Sequence, residues 1–116
     1  MDVNQVSTEL LELTASNECA YNNYISQGRT LKFASVLKTN NDRIVVLLEF
    51  LMNSDTDLVV RAAKEWHKHL TCWRRQWEAL SASRDFDLHE KFVFETAINF
   101  PEKQVKQLLQ FCEIQA

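Results

Sequence analysis

The 116 residues include a single glycine and a single proline. Sheets fold back on themselves through tight turns, and tight turns lean on those two residues. A sandwich or barrel is therefore not expected, and the chain reads as all-α. Cysteine is also scarce. Cys19, Cys72 and Cys112 are odd in number, far apart and without a CxxC pair. That pattern is neither a disulfide framework nor a metal-ligand spacing, so three reduced, mostly buried thiols in a cytoplasmic protein are expected. No stretch of 18 apolar residues is free of charge, which argues against a membrane span. The opening MDVNQVSTELLEL lacks the basic start and long apolar core of a secretory leader, and QFCEIQA is no prenylation box. One glycine cannot build a phosphate-cradling loop, so nucleotide binding by such a motif is excluded and no cofactor is expected.

What is present is ordinary for a globular chain: 46% hydrophobic and 25% charged residues. The length fits one domain over residues 1–116. The net charge of -3 is unevenly spread. Residues 1–60 carry eight acids against four bases, and residues 76–116 seven against four. Between them, Arg61, Lys64, Lys68, Arg74 and Arg75 face Glu65 alone. Basic charge is thus concentrated on one segment of an acidic chain.

Asp2 followed by Gln5 is a capping-box pattern. Val3, Val6, Leu10 and Leu13 then recur at helical spacing and predict a helix over about 3–15. Ser16 or Asn17 would cap a second, short helix that ends at Gly28. Leu31, Phe33, Ala34, Val36 and Leu37 suggest a third, and Thr39-Asn40-Asn41-Asp42 a loop. The run Ile44–Met52 is apolar nearly all round and reads as a helix at the centre of the core. Ser54-Asp55-Thr56-Asp57 ends it and caps the next. Val59, Ala63, Trp66, Leu70, Trp73, Trp77 and Leu80 are then spaced alternately four and three apart. This stripe predicts a long central helix near residues 56–80, the spine of the fold. A turn at 81–85, a helix over 87–99 and a last helix begun by Pro101 complete about six helices in a bundle.

The stretch from Val46 to Ala63, VLLEFLMNSDTDLVVRAA, resembles the helix–turn–helix junction of a HEAT-type repeat. A Leu-rich helix, an Asp-x-Asp turn and a Val-Arg followed by small residues carry the likeness. It implies that Asp55 and Asp57 cap the following helix and that Arg61 braces the turn. Lys64 and Trp66 depart from the pattern. Asp85-Phe86-Asp87-Leu88 echoes Asp55-Thr56-Asp57-Leu58 thirty residues on, and a short HEAT-like α-solenoid is the second architecture. Short proteins of that family look like binding modules, some like toxin-neutralising immunity proteins.

Candidate chemistry is sparse. His69 and Cys72 are three residues apart and could share one side of a helix, but His67 points elsewhere and a zinc site needs further ligands, so no metal site is assigned. A Cys72–His69 nucleophile pair oriented by Glu65 would need an oxyanion site and a loop to open it. Glu90 with Glu95, and Glu9 with Glu12, read as solvated side chains. No enzyme is expected. The richest segment is Trp66–Trp77, where tryptophans alternate with bases. The tryptophans on the stripe read as core, and the distal turns of the helix as a surface for another protein, with Trp73, Arg74, Trp77 and Leu80 as partner-binding residues. A second reading is nucleic-acid contact through Arg61, Lys64, Lys68 and Arg75. A third is a homodimer. The expected role is a non-catalytic protein-binding module: an adaptor, inhibitor or immunity-type neutraliser.

Overall fold

The computed structural model describes residues 2–26, 34–81 and 88–115. Its described residues are helical almost throughout and contain no strand. The elements are α1 (Val3–Ser26), α2 (Ala34–Met52), α3 (Thr56–Ser81), α4 (Leu88–Phe94), a π-helical turn (Glu95–Asn99) and α5 (Phe100–Gln115). α4, the π turn and α5 follow one another without a loop, so the described chain forms four helical rods rather than six helices. α3 lies against α5 and α1, and α1 against α2. The body measures 44 × 26 × 18 Å, and α3, at about 39 Å for 26 residues, runs most of its length.

The caps follow the sequence closely. Gln5 N–H donates to Asp2 Oδ1 and Asp2 N–H to Gln5 Oε1, both at 2.9 Å, a complete capping box. Asp55 Oδ1 accepts from the N–H groups of Asp57 and Leu58, and Asp55 starts α3. Asp57 lies in the first turn, where its charge suits the helix dipole. Gly28 and the Asp85–Asp87 echo fall outside the described residues.

Two expected breaks are absent, for one reason. Ser16-Asn17 and Thr39-Asn40-Asn41-Asp42 look like caps and turns, yet both lie inside helices. Asn17, Asn40 and Asn41 are buried and bond to one another. Asn17 Nδ2 donates to Asn41 Oδ1 at 3.1 Å, and Asn40 Nδ2 donates to Asn17 Oδ1 at 2.9 Å and to Ser16 Oγ at 3.0 Å. These amides no longer compete for their own backbone, so the helices continue.

The same triad answers a problem set by Pro101. A residue at 101 would donate its N–H to Ala97 O in an α-helix and to Thr96 O in a π-helix, and proline has none to give. Phe100 N–H reaches back to Glu95 O. Ala97 O instead accepts from Asn17 Nδ2 at 3.1 Å, and Thr96 O from Asn41 Nδ2 at 2.9 Å. Two buried asparagines from α1 and α2 thus stand in for backbone donors and hold the irregular turn in the protein interior.

The triad also separates two apolar clusters. One joins Val6 and Leu10 of α1, Ile44, Leu47 and Leu51 of α2, Val59, Trp66 and Leu70 of α3, and Val105 and Leu108 of α5. The other joins Tyr21, Tyr24, Leu37, Phe94, Ala97 and Ile98. Trp73 packs against both. α2 is not the all-round core helix its composition suggests, because Val45, Val46 and Met52 are exposed.

Candidate functional site

The heptad stripe of α3 divides partway along its length. Val59, Ala63, Trp66 and Leu70 are all sealed in the core. Trp66 Nε1–H donates to Thr14 Oγ1 at 2.9 Å, and the Thr14 hydroxyl donates onward to Leu10 O at 2.7 Å. Beyond Leu70 the burial loosens: Trp73 and Trp77 are half-buried. Trp73 meets His69 edge-on at 4.6 Å between ring centroids. Trp77 stacks on Phe94 of α4 at 3.8 Å and 16°. On that same helix Leu88 and Phe92 are 83% and 60% exposed. Leu80 belongs to α3, and its side chain lies outside the described set.

Arg74 keeps 30% of its side-chain surface exposed and is held by partners within the protein. Its Nε donates to Glu102 Oε2 at 2.7 Å and to Oε1 at 2.9 Å, and Nη2 donates to Asn99 Oδ1. Nη1 stands 3.8 Å from Glu78 Oε1, and the guanidinium lies 5.9 Å from the Phe94 ring centroid. Glu102 is buried, and Lys106 Nζ approaches its Oε1 at 3.4 Å. Burial alone would raise the Glu102 carboxyl. The hydrogen bonds and charge of Arg74, aided by Lys106, outweigh it and hold the group below its ordinary value of 4.5. Glu9 is shifted the same way by its hydrogen bonds to Arg43, at 2.7 and 3.1 Å.

A pH dependence follows with a definite sign. A folded pKa below the unfolded one gives stability that is complete above the unfolded value and lost as pH falls through the folded one. The domain is therefore expected to weaken below about pH 4.5. Denaturant titrations of the wild type and Glu102→Gln at pH 7 and pH 3.5 check this. The variant loses less between the two pH values; an equal loss removes Glu102 from the explanation.

Arg61, Lys64, Lys68 and Arg75 are all exposed, on the outer face of α3, with no ion pair among the described residues. Arg61 does not brace the turn by an ion pair. His67, His69 and Cys72 form no metal cluster with other ligands among the described residues. Cys72 and His69 share no hydrogen bond; Cys72 Sγ instead accepts from Gln76 Nε2 at 3.8 Å. Cys72 and Cys19 are exposed and only Cys112 is buried, which corrects the expectation of mostly buried thiols. Burial pushes the Cys112 thiol up.

Two other carboxylates differ from expectation. Glu90 is fully buried and accepts from the Tyr21 hydroxyl at 3.2 Å, and Glu9 is paired with Arg43 rather than free. Sequence reasoning also missed the surroundings of Arg74: Asn99, Phe100, Glu102, Lys103 and Lys106 gather round it at the π turn. The available signal was Pro101 inside an otherwise continuous helical pattern, which marks a break in the backbone ladder. No helix among the described residues is long and apolar enough to cross a membrane. No protein-family model, curated protein or solved structure matches the chain.

Proposed function

We propose that the chain is a non-catalytic protein-binding module, an adaptor, inhibitor or immunity-type neutraliser, that docks through the distal half of α3. The observation that carries this reading is the change of burial along one stripe. Trp66 and Leu70 are sealed, whereas Trp73 and Trp77 keep part of their surface in water beside a helix that exposes Leu88 and Phe92. Large aromatics and arginine supply most interface energy when a partner covers them. Trp73, Arg74, Trp77 and Leu80 form the docking strip. Arg74 is held in place by Glu102 and Asn99, so little side-chain entropy is lost when a partner meets it. Occlusion by a rigid helical surface is the mechanism.

Trp77→Ala is expected to weaken association with the partner at least about 10-fold. Leu88→Asp alters a side chain that is 83% exposed, so it probes the same region without disturbing the core. Affinity measured with both variants, folding being checked by circular dichroism, decides the matter. If neither variant changes the affinity, the docking strip lies elsewhere.

A second reading uses the basic stripe Arg61, Lys64, Lys68 and Arg75 to hold nucleic acid. Its support is that all four are exposed on one helix and unpaired among the described residues. It requires a log–log salt slope of about -3 to -4 for four phosphate contacts. A binding curve flat in salt removes it. A homodimer is the third reading, and light scattering that shows a monomer at high concentration disposes of it.

A further inference from the structure

The π turn admits an extra residue per turn, and beside it lies a pocket of about 480 Å³ against α3, lined mostly by charged and amide side chains. Arg74, Lys103 and Lys106 supply three cations to its wall, against the two carboxylates Glu95 and Glu102. We propose that this pocket seats a carboxylate side chain from an acidic segment of a partner protein. The proposal rests on the protein-binding reading and names the chemistry of the partner.

The donors of the residues that line the pocket are partly uncommitted. Glu102 is already matched by Arg74 and Lys106, so its charge is spent internally. Lys103 is exposed and has no ion pair among the described residues. Arg74 can only donate, so the oxygen of Asn99 must face it, and the amide NH2 is left as a donor directed elsewhere. Arg74 Nη1 has only a loose contact with Glu78, which is itself mostly exposed. Nη1, the Asn99 amide and the Lys103 ammonium together provide donors for two carboxylate oxygens. Glu95 and Glu102 penalise a dianion, which favours a singly charged carboxylate over phosphate. Phe100 gives the wall an apolar part against which the methylenes of a Glu or Asp side chain can lie.

The test is a two-dimensional NMR titration of the whole chain with acetyl-tetraglutamate amide, with glutarate and inorganic phosphate run in parallel. The expected result is a set of shifts confined to residues 99–106 and the Arg74 side chain. Lys103→Glu should weaken peptide binding about 10-fold, and Lys64→Glu, exposed on α3 about 15 Å along the helix from Arg74, by less than about 2-fold. Shifts spread evenly along Arg61–Arg75, or none at about 5 mM peptide, overturn the proposal. So does phosphate bound more tightly than the peptide. Glutarate bound as tightly as the peptide reassigns the pocket to a free small anion. The two readings fail separately. A Trp77-dependent partner with no peptide binding sinks the pocket alone, and peptide binding with no Trp77-dependent partner sinks the docking strip alone.

Discussion

Asn17→Ala is expected to destabilise the fold by about 3–4 kcal/mol. The side chain is fully buried and serves three groups at once: it donates to Asn41 Oδ1 and Ala97 O and accepts from Asn40 Nδ2. Each buried group left without a partner costs about 1–3 kcal/mol. Asn40 keeps Ser16 as a second acceptor, which limits the total. Urea denaturation of wild type and variant measures the loss. A sharper version uses Pro101. Pro101→Ala supplies an N–H to a stretch whose carbonyls at Thr96 and Ala97 rely on asparagine donors. Asn17→Ala should therefore cost about 1 kcal/mol less in the Pro101→Ala background than in the wild type. Strict additivity would show that asparagine and proline are not solving the same hydrogen-bond problem.

Trp66→Ala is the second large effect, at about 3–5 kcal/mol. Trp66 is the largest fully buried side chain, and it sits where α1, α2, α3 and α5 converge. Its loss leaves a cavity that rigid helices close poorly. It also removes the donor to Thr14, a fully buried hydroxyl whose own proton is committed to Leu10 O. Trp66→Phe separates the two contributions: it restores most of the volume but not the N–H, and about 1–2 kcal/mol should remain. Thermal unfolding followed by circular dichroism reads both, and Trp66→Ala should lower Tm by more than about 10 °C. A drop of only a few degrees would mean that this half of the stripe is not the core.

The contrast within α3 links stability to the proposed role. Trp66 and Trp77 lie on the same stripe eleven residues apart, yet one is sealed and the other half-covered. Substitution at 66 should be felt in folding and at 77 in binding. Arg74 belongs to both sides of that division. It neutralises a buried carboxylate, so Arg74→Glu would place two acids against each other and unfold the α3–α5 junction before it reported on any partner. Lys103→Glu and Leu88→Asp are the cleaner probes.

How much of this was legible in the sequence depended on which physical signal each residue carried. The four–three spacing from Val59 to Leu80 is a geometric signal, and it located α3 nearly to the residue. Asp2, Gln5 and Asp55 act locally, and local hydrogen-bond patterns can be read from spacing. Asn17, Asn40 and Asn41 carry an ambiguous signal, because an amide that bonds its own backbone ends a helix and one that bonds across a core does not. Their partners are up to 80 residues away, and nothing in a local window shows them. Glu90 was misread for the same reason, its partner Tyr21 lying 69 residues upstream. Within the candidate site, the tryptophans and Arg74 were legible from side-chain type and periodicity. The pocket round Arg74 was not, since it depends on a π turn that brings Asn99 and Lys103 to a helix nearly 30 residues earlier.

The claim on which the functional reading stands is that another protein covers the distal half of α3. The most direct measurement is capture of the tagged chain from native lysate, with and without nuclease, followed by mass spectrometry and by the same capture with Trp77→Ala. The expected outcome is one protein in stoichiometric yield that survives nuclease and is lost with Trp77→Ala. Captured material that disappears with nuclease, or that stays equally bound to the Trp77→Ala variant, would contradict it.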